Sequence, residues 1–345
     1  MKALVYTGPG TVEVLERPKP TIKAPTDAVV RMMHASICGT DLHILKGDVP
    51  SANPGLILGH EGVGVVEELG DAVQGFHVGD RVLISCMTKC GSCKYCQRGI
   101  AAHCETGGWV LGNRIDGTQA EYVRVPHAQL SLHTLPASID PRAAVAISDA
   151  FPTGFECGVL SADVQPGSSV VIIGAGPVGM ATLLTARLFT PSLIVMVDLD
   201  DARLQTARKL GAHHTVNSSA PDAKQKLLDL TNGDGYDSVI EVVGIPATFK
   251  LCQELVGVGG RIANVGVHGT KVDLHLETLW DRNISIHMAL VNASTTPRLL
   301  RLVESGVLET GSLVTHHFAC GKAGQAYETF RTAAQHQALK VAIDF

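Results

Sequence analysis

Cys90, Cys93, Cys96 and Cys104 are spaced C-x2-C-x2-C-x7-C, and two-residue gaps let neighbouring thiolates converge on one tetrahedral ion. Their neighbours Gly91, Ser92 and Lys94 suit a metal knuckle better than a row of unrelated surface thiols. Four cysteine ligands leave no open position, so the spacing predicts a structural zinc that fixes its loop, contributing on the order of 10 kcal/mol of local folding free energy. A second signature runs from Val170 to Asp198. Gly174-Ala175-Gly176-Pro177-Val178-Gly179 has the G-x-G-x-x-G spacing of a tight turn opening into a helix. Alone that pattern mostly marks a turn. Here an apolar strand, Val170 to Ile173, precedes it, and a helix with Met180, Leu183, Leu184 and Leu188 on one face follows. A strand from Leu193 to Val197 then ends in Asp198, placed to accept hydrogen bonds from an adenosine ribose. The glycines let backbone approach a pyrophosphate, which meets the free N–H groups and positive dipole of the helix start. Asp198 repels a 2′-phosphate and neither Leu199 nor Asp200 is basic, so NAD is favoured over NADP.

The elements that must position these groups differ along the chain. Residues 1 to about 150 show short strand-like runs broken by Gly and Pro (Ala28 to Met33, Gly62 to Glu67, Arg81 to Ser85), which predicts a β-rich domain with long loops. Beyond about 152, strands and helices alternate. Helices are expected near Asp201 to Leu210, Pro221 to Leu230 and Pro246 to Val256. Strands are expected near Thr215 to Val216, Ser238 to Val242, Arg261 to Val265 and Ile284 to Val291. Six strands in this alternation give an α/β fold with a doubly wound parallel sheet. From about 292 the chain returns to helix, Pro297 to Ser305 and Gly321 to Gln335, and ends in a strand, Leu339 to Ile343.

The totals narrow the classes of function. A length of 345 residues fits two domains, and 45% hydrophobic with 18% charged residues describes an ordinary globular chain. The net charge of −5 comes without a basic stripe, which argues against nucleic acid. No signal peptide or run of 18 apolar residues is present, so a cytoplasmic protein with no membrane partner is expected. Nine cysteines then read as thiols or metal ligands rather than disulfides.

Cys38-Gly39-Thr40-Asp41-Leu42-His43, Gly59-His60-Glu61-Gly62-Val63-Gly64, the four-cysteine loop, Asp149-Ala150-Phe151-Pro152-Thr153-Gly154 and the nucleotide fingerprint occur in register. Together they resemble the zinc-containing alcohol dehydrogenases of the medium-chain dehydrogenase/reductase family, over the whole chain. The resemblance implies a GroES-like catalytic domain, residues 1–152 and 291–345, with a Rossmann NAD-binding domain, 153–290, inserted. It implies two zinc ions per chain, the catalytic one held by Cys38 and His60. Plant and animal members place a cysteine as third ligand four residues before the Thr-Gly pair; here that position is Asp149, as in bacterial enzymes acting on secondary alcohols. Glu156 and Cys157 are rival ligands at the wrong offset. Glu61 is left between two roles, an outer partner of the ligands or an exchangeable fourth ligand.

The implied reaction is reversible hydride transfer between an alcohol or ketone and NAD, with zinc lowering the pKa of the alcohol oxygen. Thr40, the nicotinamide ribose and His43 form the implied proton relay; the residues themselves say only that a hydroxyl and an imidazole lie near a ligand. Further implied cofactor contacts are Thr153, Val243, Val265 to Val267 and Lys340, the lysine meeting phosphate or substrate. Arg203 either covers the adenine or is a solvated helix charge. The substrate pocket is expected from Ser85, Cys86, Met87, Trp109, Leu111 and Leu290, mostly apolar, with Trp109 matching a pocket tryptophan of the secondary-alcohol enzymes. That favours medium-sized or hydrophobic secondary alcohols over polyols, sugars or amino-acid side-chain alcohols, whose hydroxyls need polar partners. A non-catalytic dinucleotide sensor would require a lost ligand, and none is lost. His103, His213 and His214 are read as ordinary surface or packed histidines. Chains of this compact length in the family are commonly homotetramers pairing through the strand near Ser285 to Val291.

Overall fold

Apolar runs rich in valine and isoleucine become strands wherever glycine or proline breaks the chain between them. The computed structural model describes residues 1–345, which form two units, Met1–Pro152 with Asn292–Phe345, and Thr153–Val291. The first begins with a hairpin, β1 (Lys2–Gly8) against β2 (Thr11–Glu16). It continues through β3 (Ala28–Ile37), β4 (Gly62–Leu69), β5 (Arg81–Ile84), β6 (Tyr122–Val125) and β7 (Leu132–Thr134). In the second unit β8 (Ser169–Ile173), β9 (Leu193–Asp198), β10 (His214–Asn217), β11 (Tyr236–Glu241), β12 (Val256–Asn264) and β13 (Ser285–Met288) make a six-stranded sheet, every pairing parallel. The chain then returns to the first unit with β14 (Val314–Ala319) and β15 (Lys340–Asp344).

The parallel sheet runs β10-β9-β8-β11-β12-β13, so strand order reverses between β8 and β11, where doubly wound folds bind their ligands. Val170 to Ile173 are all buried, as a parallel strand covered on both faces requires. In the first unit β15 lies antiparallel to β3, Val341 opposite Ile37, completing the order β14-β15-β3-β4-β5-β7 with β6 also on β3. Leu4, Ile37, Ile44, Leu58, Tyr327 and Val341 share one core, so the C-terminal segment helps to build the floor beneath Cys38.

Three details depart from the sequence reading. The expected helix over Gly321 to Gln335 is interrupted at Thr332, with Ala323–Arg331 and Ala333–His336 as separate pieces. The last strand of the parallel sheet is four residues long and stops at Met288. β14, Val-Thr-His-His-Phe-Ala, was not foreseen, since its two adjacent histidines obscure the alternation of a half-buried strand.

Candidate active site

Cys38 follows β3 directly and caps the helix Gly39–Lys46, where free N–H groups and the helix dipole favour a thiolate. His60 and Glu61 precede β4, and Asp149 follows the tight turn Val145–Ser148. One ligand atom from each of Cys38, His60, Glu61 and Asp149 lies within 4.8 Å of all the others. Asp149 Oδ2 is 3.6 Å from Cys38 Sγ and 3.7 Å from His60 Nε2. Local contacts hold the ligands in place. The Ser148 hydroxyl accepts the Gly62 N–H at 3.1 Å and lies 3.2 Å from its carbonyl, tying the segment of Asp149 to that of His60. Gly59, at φ +94°, lies against Gly117, whose Cβ would meet the Gly59 carbonyl oxygen at 2.0 Å, so both must be glycine for this approach.

Lys340 corrects the sequence reading. Rather than meeting cofactor phosphate, it is 2% exposed and its ammonium donates to Glu61 Oε1, while Ser36 Oγ donates to Oε2. Glu61 is fully buried, and Lys340 neutralises it. The remaining charges, one thiolate and one carboxylate, balance a dication. Burial pushes the Cys38 thiol up, and Glu61 and Asp149 push it further. Against the downward pull of burial, Asp149 and Cys38 hold His60 well above its ordinary range. Asp149, despite burial, is held far below the usual carboxylate range by His60 and Lys340. A metal ion held by Cys38, His60 and Asp149 would favour the thiolate and the neutral imidazole.

Beneath the ligands lies a polar network. Asp41 Oδ2 accepts the Cys38 N–H at 2.9 Å and the Gln119 amide at 3.0 Å, and Tyr327 donates to Gln119 Oε1 at 2.7 Å. Asp41 Oδ1 and His60 Nδ1 are buried without partners. A ligating imidazole ordinarily donates its other N–H to a carboxylate, and here the His60 Nδ1 position has no such partner. Thr40 Oγ1 is 3.7 Å from Cys38 Sγ, and His43 Nδ1 is 3.0 Å from Asp48 Oδ2. The Trp109 and His60 rings stand edge to face at 6.1 Å. Ser85, Cys86 and Met87 are buried nearby in sequence, the Cys86 N–H donating to the carbonyl of Ser148. Leu111, expected in the pocket, is fully buried in the core cluster of Val30, Met32, Ile84 and Val123. Glu156 and Cys157 belong to the second unit and stand outside the ligand group.

Cys90, Cys93, Cys96 and Cys104 also bring their sulfurs within 4.8 Å of one another, and no disulfide forms among the nine cysteines. The N–H groups of Cys93 and Cys104's neighbour Cys90 point at sulfurs, Cys93 N to Cys90 Sγ at 3.4 Å and Cys90 N to Cys104 Sγ at 3.3 Å. Though burial opposes it, bonds from Cys93 and Ser92 lower Cys90 to about 5; burial with Cys93 and Cys104 raises Cys96 to about 12. A dication held by the four sulfurs would favour the thiolate form of them all.

In the second unit each glycine of the fingerprint has its own task. Gly174 adopts φ +111°; a Cβ at Gly176 meets nothing within 4 Å; one at Gly179 would sit 1.9 Å from the Gly174 oxygen. The turn, the open cradle and the close helix packing are the three requirements of a pyrophosphate loop. The helix Pro177–Ala186 starts at Gly176 without a side-chain cap, leaving its N–H groups for an anion. Asp198 accepts from Ala175 N at 2.6 Å and from Leu199 and Asp200 N at 2.8 and 3.0 Å. Arg203 stands in the first turn of the next helix with Nε buried and unpartnered. Thr153 opens a π-helical stretch to Leu160. Val243 and Val267 project into solvent, and Leu290 is exposed after β13.

The Alcohol dehydrogenase GroES-like domain model matches residues 24–137, and the Zinc-binding dehydrogenase model matches residues 177–305. An alcohol dehydrogenase of Cupriavidus necator is 36% identical over 99% of this chain and 98% of its own. The chain belongs to the zinc-containing alcohol dehydrogenases of the medium-chain dehydrogenase/reductase family. The apo structure of zinc dependent alcohol dehydrogenase 2 from Streptococcus pneumonia is similar at TM-score 0.96 and 52% identity, covering 100% of this chain and 98% of that one. A sorbitol dehydrogenase of Bacillus subtilis is 30% identical over 95% of this chain and 93% of its own.

For this alcohol dehydrogenase, sequence reasoning missed Ser36, Asp41, Asp48, Gln119, Ser148 and Tyr327. Asp41 alone carried a usable signal, three residues past Cys38 at the start of a helix, the spacing of a side chain that turns back on its cap. No helix is long and apolar enough to cross a membrane.

Proposed function

We propose that the chain oxidises secondary alcohols of medium size or hydrophobic character, and reduces the matching ketones, with NAD. The observation that carries this reading is the convergence of Cys38, His60 and Asp149 beside a glutamate already neutralised by Lys340. Cys38, His60 and Asp149 would hold one zinc, and the four-cysteine loop a second. When bound, the catalytic zinc supplies a Lewis acid for the substrate oxygen and NAD a hydride acceptor. Thr40 holds the substrate hydroxyl by hydrogen bonding. His43, whose Nδ1 is paired with Asp48, would serve as the proton acceptor of the relay when the dinucleotide is bound. Trp109 offers an apolar wall beside His60, which disfavours a polyol by leaving its hydroxyls unpaired. Asp198 receives the adenosine ribose and turns away a 2′-phosphate. A homotetramer pairing through β13, an edge strand with Met288 exposed, is part of this reading.

The test is a reduced-nicotinamide absorbance scan offering NAD and NADP with a primary alcohol, a secondary alcohol and a polyol, with a zinc count per chain. Turnover of the secondary alcohol with NAD and about two zinc ions per chain is expected. Preference for the polyol would move the assignment to the sorbitol-type relatives. Silence on all three with one zinc bound would overturn catalysis.

A further inference from the structure

Glu241, at the end of β11, is wholly buried, far in sequence from both cysteine-bearing sites and used by none of the chemistry above. Its Oε1 accepts the N–H groups of Val243 and Gly244 at 3.0 and 2.8 Å and the Thr248 hydroxyl at 2.6 Å. Its backbone carbonyl accepts the N–H groups of Val265 and Gly266 at 2.8 and 3.1 Å. One residue therefore ties down the loop after β11 and the loop after β12.

The other carboxylate oxygen, Oε2, is buried with no hydrogen-bond partner and lies 3.8 Å from His268 Nε2. That imidazole pairs with Asn264 Oδ1 at 2.8 Å, and Asn264 Nδ2 donates to the Gly266 carbonyl at 3.0 Å. The two loops meet backbone to backbone above the carboxylate. A Cβ on Gly266 would lie 2.2 Å from Gly244 N and 2.3 Å from Glu241 Oε2, and one on Gly244 would lie 2.4 Å from Val267 O. An apolar side chain would fill this interior without the cost of a buried, half-satisfied carboxylate. The carboxylate is explained if the loops must be held at a fixed height. What they hold up are two valines in water, Val243 at 44% and Val267 at 70% exposure, at the carboxyl ends of adjacent parallel strands.

We infer that Glu241 is a positioning residue for the nicotinamide half of the dinucleotide, locking the Val243 and Val267 loops into one platform, with His268 and Asn264 bracing its second side. This role rests on the dinucleotide reading above. It does not involve the pyrophosphate or adenosine, which the Gly174 to Gly179 loop and Asp198 receive.

The experiment is calorimetric titration of the zinc-loaded full chain with NAD and, separately, with ADP-ribose, which lacks the nicotinamide. Glu241→Gln keeps one acceptor oxygen for Val243, Gly244 and Thr248 but removes the charge, and should weaken NAD about tenfold while leaving ADP-ribose within about twofold, as those bonds lose their charge assistance. The KM for NAD should rise in proportion, with a smaller change in kcat. Thr248→Val removes one donor and leaves the carboxylate, so it should shift NAD the same way by about threefold and carries the test if the glutamine variant fails to fold. Equal weakening of both ligands, or of neither, overturns the role. Wild-type protein that binds neither ligand overturns the dinucleotide reading and this role with it.

Discussion

Lys340→Met removes the cation facing Glu61 while keeping most of the length and the apolar stem of the side chain. Glu61 is 0% and Lys340 2% exposed, so water cannot replace the lost charge. The carboxylate would remain in the interior within 4.8 Å of Cys38, His60 and Asp149 ligand atoms. Breaking a buried ion pair costs about 3–5 kcal/mol, and the surviving Ser36 hydroxyl puts this case at the low end, about 3 kcal/mol. Burial already raises the Glu61 pKa, and losing Lys340 raises it further. A carboxyl whose folded pKa exceeds its unfolded one is destabilising above the folded pKa and fully relieved only below the unfolded one, so the deficit should shrink as pH falls towards the ordinary carboxylate range. Adding Glu61→Gln removes the stranded charge and should recover about 2 kcal/mol. The assay is denaturant unfolding of the zinc-loaded single and double variants in a Trp280→Phe background, where Trp109 alone reports the first unit. A coupling energy below about 0.5 kcal/mol, or a lysine variant as stable as the wild type, would refute the pairing.

Cys104→Ser should lower the zinc count by one per chain and depress the melting temperature of the first unit; an unchanged count would show that the four thiols are not a metal site. His43→Ala should slow turnover at pH 7 about tenfold, with the deficit narrowing at alkaline pH as solvent accepts the proton, and a deficit constant across pH would remove His43 from the relay. Asp198→Ser should raise the KM for NAD about tenfold and shrink the discrimination against NADP, since the repulsive carboxylate is gone; an unaltered ratio of the two cofactors would contradict its assignment. Burial, with Lys89 adding to it, lowers His133 to about 4. Between that value and the ordinary 6.5 the unfolded chain binds the extra proton, so stability falls as pH drops through the window, by about 3 kcal/mol in all. Chemical unfolding of His133→Gln at pH 7 and pH 4.5 should show a shallower decline than the wild type, and parallel declines would exclude this histidine.

What could be read from the sequence was local. The four-cysteine loop and the Gly174 to Gly179 turn are fixed by spacings of a few residues, and their chemistry follows from those spacings. The alternation after residue 152 gave the parallel sheet because buried strands need continuous apolar runs. The candidate ligand Asp149 lies 111 residues from Cys38 and came only through the family resemblance. Lys340 was misread because its partner is set by the register of β15 on β3, which no spacing encodes. Gln119 and Tyr327 escaped for the same reason, 208 residues apart and joined by one hydrogen bond. Glu241 looked like an ordinary strand residue until the loops it holds were seen around it.

The strand that carries Lys340 has a consequence for how the chain is made. Glu61 leaves the ribosome 279 residues ahead of its counter-ion. At about 5–20 residues per second, its carboxylate waits tens of seconds in a nascent chain that cannot yet close the floor of the centre. Truncation anywhere between Asp149 and the final strand would release a polypeptide with every candidate zinc ligand and no cation beside Glu61. The charge balance of the centre thus depends on a strand translated long after the carboxylate that it serves.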